Sequence, residues 1–379
     1  MSSLDADAAE TRLAPYDALL VVSFGGPEGQ EDVIPFLGNV TRGKDVPRER
    51  LEEVGEHYRA FGGKSPINDQ NRAFVANLQH ELAEAGLSIP VYWGNRNWHP
   101  YLTDEVKRMA ADGMGRVAAF ITSAYASYSG CRQYRENLAE SVAEVGPAAP
   151  RIDRLRHSFD HPGFVSANTD SVVGALGELS RDAAEQARLV FVTHSIPVAM
   201  AETSGANGNA YIEQHEAVAQ AVTAQVSART GAQYEYDLVY CSRSGPPHVP
   251  WLEPDVNDHL EALAAQGTRA VVMAPIGFLS DHMEVVYDLD TEALDTAKKF
   301  GIEAARAATV GTHPDFVAAV IDLLLERAAV ERGEAVDRAS VGPPGPDADV
   351  CAVDCCRNLR AAKPALGGWD APAHPSAPK

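Results

Sequence analysis

An α/β fold, with parallel sheets covered by helices, is what this 379-residue sequence predicts, and three observations predict it. Short apolar runs such as LLVV, VFV and AVVM alternate with longer amphipathic stretches. The runs are apolar at nearly every position, which is the pattern of strands buried on both faces and belongs to parallel sheets flanked by helices. The alternation occurs twice along a chain that is 45% hydrophobic, so two similar α/β halves of ordinary domain size are expected.

In the first half, YDALLVVSF (16–24), IPVYWGNR (89–96) and RVAAFITSAY (116–125) read as strands. Helices follow them, among them LTDEVKRMAADG (102–113) and one running through Tyr134. In the second half, ARLVFVTHSIP (187–197), YDLVYCSRSG (236–245), RAVVMAPIGFL (269–279) and GIEAARAATVG (301–311) read as four more strands. VNDHLEALAAQG (256–267) and HPDFVAAVIDLLLERAAVER (313–332) read as helices. The halves are expected to span residues 15–160 and 161–332, joined near HSFDHPGF (157–164), with residues 1–14 a flexible N-terminus. Residues 333–379 form a C-terminal tail of SVGPPGPDADV, a cysteine cluster and AAKPALGGWDAPAHPSAPK. Proline and glycine at this density sustain neither helix nor ladder, so the tail is loose unless something ties it down.

With 32 Lys+Arg against 53 Asp+Glu, the net charge is −21. Such a chain repels phosphate backbones and anionic lipid, so neither a nucleic-acid partner nor stable membrane association is expected. No apolar run is long enough to span a bilayer, and the start MSSLDADAAETRLAP lacks the basic and apolar regions of a signal peptide. The expected compartment is the cytoplasm. The cysteines number 5, and three of them lie in DVCAVDCCRNL (349–359). An odd count in a cytoplasmic chain disfavours structural disulfides and points the cluster towards metal.

Ligands of open α/β sheets collect outside the carboxyl ends of the strands. The candidates are therefore SFGGP (23–27), SAYASYSGC (123–131), HSIP (194–197) and LSDHMEVVYD (279–288). SFGGP carries neither GxGxxG nor a GKS/GKT loop, and Pro27 removes a donor that phosphate binding needs, so it reads as a turn. His194 leaves a buried strand at the functional edge, either satisfied by backbone carbonyls or as a working imidazole. Asp281, His282 and Glu284 put two carboxylates and an imidazole in one short stretch, where a helix start explains Asp281 well and His282 poorly. A histidine and a carboxylate from two strand ends facing one cleft bind a divalent metal, iron as well as zinc, or move protons.

From about Tyr16 to Glu331 the chain resembles the ferrochelatases, and within them the bacterial coproporphyrin ferrochelatases. The resemblance is carried by SFGGP, FGGKSPIN (61–68), GNRNWHP (94–100), THSIP (193–197), YCSRSGPP (240–247), PWLEPDV (250–256) and PIGFLSDHMEVVYDLD (275–290). It implies two Rossmann-like, chelatase-type domains with a porphyrin cleft between them. The implied activity is insertion of Fe(II) into coproporphyrin III to form coprohaem in haem biosynthesis. By the resemblance, His194 and Glu284 are catalytic residues and ligands of the incoming Fe(II), facing each other across the macrocycle. Ser65 and Tyr134 fall at porphyrin contacts, with Phe24, Arg42 and Tyr58 beside them, although Arg42 also reads as a surface arginine after a turn. Asp281, His282 and Asp288 support the metal side, His282 foremost towards iron in solvent. Phe24 stands where several relatives have tyrosine, so no phenolate ligand exists there, and Cys241 reads as a small buried apolar residue where relatives often carry glutamine.

Some ferrochelatases hold a [2Fe–2S] cluster with three cysteines of a C-terminal extension and a fourth from the first domain. Cys351, Cys355 and Cys356, with Cys131 of YASYSGC, match those places and would staple the tail to the first half. Zinc on the same four thiolates is the alternative. Metal insertion contains no redox step, so the expected role of a cluster is structural or sensing. The alternatives to the implied activity are a protoporphyrin IX ferrochelatase, a non-catalytic tetrapyrrole or iron carrier, and a cobalt chelatase for a sirohydrochlorin-like ring. The expected partners are the porphyrin and the next enzyme of the haem pathway.

Overall fold

In the computed structural model, which describes residues 11–43, 46–343 and 345–371, the apolar runs form two parallel sheets of four strands each. The first contains β1 (Ala18–Ser23), β2 (Val91–Asn95), β3 (Arg116–Ile121) and β4 (Arg151–Arg154) in the order β2-β1-β3-β4. The second contains β5 (Arg188–His194), β6 (Tyr236–Cys241), β7 (Ala270–Ala274) and β8 (Glu303–Arg306) in the order β6-β5-β7-β8. The two halves therefore repeat one topology, in agreement with the repeated sequence pattern. In each, strand order reverses between the first and third strands, which opens a crevice at their carboxyl ends. Residues 1–10 of the expected flexible N-terminus and 372–379 of the tail lie outside the described residues. Strand β4 was not foreseen, because RIDR is short and polar; it is an edge strand whose Ile152 alone supplies an apolar side chain.

Helices connect successive strands. In the first half, α1 (Val33–Val40), α2 (Arg48–Ala60) and α3 (Ile67–Glu84) follow β1, α4 (Leu102–Ala111) follows β2 and α5 (Gln133–Val145) follows β3. α6 (Pro162–Leu176) and the short α7 (Arg181–Ala184) lead into β5. Then come α8 (Val198–Glu202) and α9 (Ala210–Thr230), α10 (Val256–Ala265), α11 (Met283–Tyr287) and α12 (Leu294–Lys299), and after β8 the closing α13 (Pro314–Glu331). Both α6 and α13 begin with a His-Pro pair. The Nδ1 of His161 accepts from the Gly163 N–H at 3.1 Å and that of His313 from the Asp315 N–H at 3.2 Å. Each proline occupies the first turn, where its missing N–H costs nothing.

α13 belongs to the second half in sequence but packs against α3 of the first half and against α6. Its Phe316 is fully buried, with ring centroids 5.9 Å from Phe74 on α3, 6.1 Å from Phe120 on β3 and 5.8 Å from Phe164 on α6. This apolar cluster continues through Phe191 and Val272 of the second sheet, so one core reaches both. The tail then returns over the first half. Val341 N–H donates to the Asp160 carbonyl at 2.7 Å, and Arg156 donates to the Ala339 carbonyl at 2.8 Å. Arg154 reaches the Ala348 carbonyl at 2.8 Å, and Leu366 N–H the Arg135 carbonyl at 3.0 Å. The tie that its composition requires is thus supplied largely by buried arginines. Among the described residues, no helix is long and apolar enough to cross a membrane.

Phe316→Ala removes the ring shared by α3, β3, α6 and α13. It is expected to destabilise the protein by about 3–5 kcal/mol, read as a lower urea midpoint with a single cooperative transition.

Candidate active site

His194 ends β5, and the segment bearing Glu284 follows β7, the neighbouring strand of the same sheet. The Nδ1 of His194 lies 2.5 Å from the Ser195 carbonyl oxygen. A carbonyl only accepts, so Nδ1 carries a proton, and Nε2 is the ring nitrogen left to face elsewhere. That Nε2 lies 3.7 Å from Oε2 of Glu284, and both side chains reach solvent, at 32% and 48% exposure. Facing positions across a macrocycle are therefore not what the fold produces. β5 and β7 are adjacent, so the residues after them share one wall, and 3.7 Å leaves no room for a ring between them.

The backbone of His194 is fixed from behind. The Tyr211 hydroxyl, on α9, donates to the His194 carbonyl at 2.8 Å and also lies 2.8 Å from Thr193 Oγ1. His215 sits 2.9 Å from the same Thr193 oxygen and stacks on Tyr125 at 3.5 Å. Burial pushes the His215 pKa down to about 3, so this ring is neutral packing.

His282 caps α11, its Nδ1 accepting from the Val285 N–H. This reverses the sequence reading, in which a helix start explained Asp281 and not His282. Asp281 instead accepts from Gln70 Nε2 at 3.0 Å and Arg306 Nη1 at 3.1 Å, and its N–H donates to Gln70 Oε1 at 2.7 Å. Those bonds tie the second half to α3. Burial lowers the His282 pKa, against the pull of Glu284, and keeps it neutral. Asp288 opens a π-helical turn, Asp288–Ala293, and pairs with the Ser242 hydroxyl. Burial, helped by the Glu284 and Glu292 charges, raises its pKa to about 6.

The opposite wall comes from the first half. Phe24 packs on Phe36 edge-on at 6.2 Å, in a cluster with Tyr58, Trp98 and, from α11, Met283. Tyr58 is buried, which raises its hydroxyl pKa well above the phenol range, with Glu284 near enough to add to the effect. His57 stacks flat on Tyr287 at 3.9 Å, a second contact between α2 and α11. Ser65 is buried beside the glycines of SFGGP, where a Cβ on Gly26 would lie 2.7 Å from its own Cβ. Glycine is required there by close approach. Tyr134 is buried on α5 under the guanidinium of Arg96 at 4.5 Å, and Arg96 also lies 5.8 Å from the Phe24 ring. Arg42 is exposed, and its guanidinium donates to Asn39 Oδ1 at 2.6 Å. Arg96, Gln70, Arg306 and Ser242 escaped the sequence reading. Arg96 and Arg306 directly follow or end strands β2 and β8, so the carboxyl-edge rule applied to every strand finds them.

Cys131, Cys351, Cys355 and Cys356 are all buried and form one cluster with Ala126. Their sulfurs pair at 3.9 Å (Cys131 and Cys351) and 3.7 Å (Cys355 and Cys356). The Gly205 N–H donates to Cys356 Sγ at 3.1 Å. Hydrogen bonds from the Cys131 and Cys355 thiols lower the pKa of Cys351 and Cys356. Cys241 lies apart in the apolar core of the second sheet, as a small buried residue.

A twice-repeated parallel sheet with an imidazole and a carboxylate at its carboxyl edge is a chelatase architecture. Among solved structures, the fold is similar to SirB from Bacillus subtilis with Fe3+, at TM-score 0.50 and 12% identity over 86% of this chain and 99% of that one. The chain belongs to the ferrochelatase family, whose profile matches residues 16–328. It is 58% identical over 367 residues to the coproporphyrin III ferrochelatase of Streptomyces griseus subsp. griseus, covering 95% of this chain and 98% of that protein. It is 56% identical over 367 residues to the protein of the same name from Streptomyces coelicolor, again over 95% and 98%. The ferrochelatase of Rhodopirellula baltica is 47% identical over 94% of this chain and 98% of its own.

The raised pKa of Asp288 has a definite sign for stability. The native state holds this proton more tightly than the unfolded chain, so stability falls as pH rises from the ordinary value of 3.8 through about 6. Asp288→Asn removes that loss. Its stability relative to wild type should grow by roughly 1–2 kcal/mol between the two pH values and stay flat above them. Urea denaturation at acidic and neutral pH measures it.

Proposed function

We propose that this chain inserts Fe(II) into coproporphyrin III, giving coprohaem in haem biosynthesis. The observation that carries the reading is the orientation of the His194 ring. With Nδ1–H committed to Ser195, Nε2 is the ring nitrogen left to face the Glu284 carboxylate, 3.7 Å away, in a chain of the ferrochelatase family. In the reaction two pyrrole N–H bonds break, two protons leave and the ring nitrogens bind iron, with no electron transferred. A neutral imidazole beside a carboxylate accepts such a proton or ligates the cation, and the carboxylate offsets the charge that develops. Either role suits His194 and Glu284, with Fe(II) as substrate.

Around this pair the reading assigns support. Asp281 is held by Gln70 and Arg306, and Asp288, with its pKa near 6, takes and releases protons near neutral pH. His282 supports as a neutral cap. Phe24 is an apolar surface for the macrocycle and offers no oxygen ligand. Arg96 and Arg42 supply cations for substrate carboxylates, beside Ser65, Tyr58 and Tyr134. The halves 15–160 and 161–332 form the two sides of the cleft, and the product passes to the next enzyme of the haem pathway.

The four thiols fit a [2Fe–2S] cluster. Among the described residues, only Asp170, His313 and Asp315 bring three ligand atoms within 4.8 Å of one another. A single zinc with four thiolates needs every sulfur about 3.8 Å from the others, whereas no three of these four sulfurs lie within 4.8 Å of one another. Among the described residues, Arg135 Nη1 and Arg154 Nε are buried donors beside the tail without a hydrogen-bond partner, as are Arg132 Nε and Arg327 Nε. When bound, the cluster supplies a covalent cross-link and a one-electron centre; Cys131, Cys351, Cys355 and Cys356 would hold it, with the Gly205 N–H on one sulfur.

Anaerobic Fe(II) insertion, followed by absorbance with coproporphyrin III and protoporphyrin IX in parallel, tests the activity. Strong preference for coproporphyrin III is expected; preference for protoporphyrin IX overturns the substrate, and no insertion with either ring favours a carrier. His194→Ala should lower kcat by roughly 10²–10⁴, while quenching of porphyrin fluorescence still titrates as in wild type.

A further inference from the structure

We propose that Arg135 and Arg154 are the counter-charges of the four-thiol site, two buried guanidiniums that offset the negative charge of its metal centre. The inference rests on the cluster reading above. Both side chains are almost wholly buried, at 0% and 3% exposure, and among the described residues neither finds a partner for every donor. Arg135 donates from Nε to the Leu366 carbonyl and from Nη2 to Asp370 at 2.9 Å, and leaves Nη1 without a partner. Arg154 donates to the carbonyls of Leu155 at 3.2 Å and Ala348 at 2.8 Å, and leaves Nε without one. A buried charged donor without an acceptor is unfavourable, so its persistence calls for an explanation by function or by a bound group.

The backbone puts both groups against the cysteines. The Cys351 N–H donates to the Gly367 carbonyl at 3.1 Å and the Trp369 N–H to the Cys351 carbonyl at 2.9 Å, so residues 367–369 lie laddered on Cys351. The two glycines make room there. A Cβ on Gly368 would lie 2.0 Å from Arg135 Nη2, and one on Gly367 would lie 3.1 Å from Arg154 Cγ. The nearby carboxylates are divided among several cations: Asp370 serves both Arg135 and Arg132, and Asp347 lies 2.6 Å from His157 and 3.6 Å from Arg154.

A four-thiolate [2Fe–2S] centre is a dianion when oxidised and gains a further negative charge on one-electron reduction. Fixed positive charge at short range favours the reduced form more than the oxidised one and holds both in place. Removing it should lower the reduction potential and loosen the metal.

The test loads the full-length chain anaerobically with ferric iron and sulfide, which together supply the oxidised centre, and compares wild type, R154Q, R154K and R135Q. Dye-mediated redox titration should find the R154Q reduction equilibrium shifted about tenfold towards the oxidised form, 59 mV for one electron, with R154K near wild type. Loss of colour to a chelator should be at least about tenfold faster in R154Q, by the same linkage of charge to affinity. R135Q should change in the same direction, and decides the matter if R154Q does not fold. Loaded variants with wild-type potential and lability overturn the assignment. If the wild type takes up one zinc per chain instead, the cluster reading falls, and the arginines are judged by zinc loss to the chelator, expected to be faster in both neutral variants. A wild-type chain that takes up neither metal overturns both readings.

Discussion

Phe316 lies where four elements meet, and the relation between the two sheets depends on that contact. Each sheet needs helices on both faces, because its inner strands are apolar at nearly every position. The last helix, α13, covers that need jointly, packing on α3 of the first half and α6 of the second. Since one core reaches both sheets, the two carboxyl edges are held at a set separation. Interactions that cross the cleft, such as Gln70 with Asp281 and His57 with Tyr287, are then local consequences of that packing.

Within the cleft, small commitments of backbone decide chemistry. The Ser195 carbonyl accepts from Nδ1–H of His194, and the Tyr211 hydroxyl donates to the carbonyl of the same residue, so backbone and α9 together orient the imidazole. His282 uses its ring to cap α11, which places Glu284 in the first turn and keeps a second imidazole neutral. The acidic character of the region then has two forms. Asp281 is neutralised by Arg306, whereas the half-buried Asp288 pairs with the Ser242 hydroxyl and has its pKa pushed up to about 6.

The tail follows a different logic. Its composition excludes regular secondary structure, and its order comes from outside, through guanidiniums of the first half reaching its carbonyls. Arg132 and Arg135 meet Asp370, Arg154 meets Ala348 and Arg156 meets Ala339. Arginine suits this role because its planar fork serves several acceptors at once and is weakly hydrated for a cation. The thiols are gathered where those contacts converge, although Cys131 and Cys351 are 220 residues apart in sequence.

The α/β class, the doubling and seven of the strands were legible in the sequence, because burial on both faces writes itself as an unbroken apolar run. So was the place of His194 at the sheet edge, since the last residue of such a run must stand there. β4 was not legible, because an edge strand of RIDR needs no apolar run. Nor was the cap formed by His282, nor the wall shared by His194 and Glu284, which follows from β5 and β7 being neighbours. The sequence by itself determined which segments are strands and which residues leave them, since these depend on hydrophobicity and near neighbours along the chain. Only the tertiary structure decided the proton on Asp288 and the meeting of Cys131 with the tail, because each depends on groups brought together from distant positions and drawn away from water.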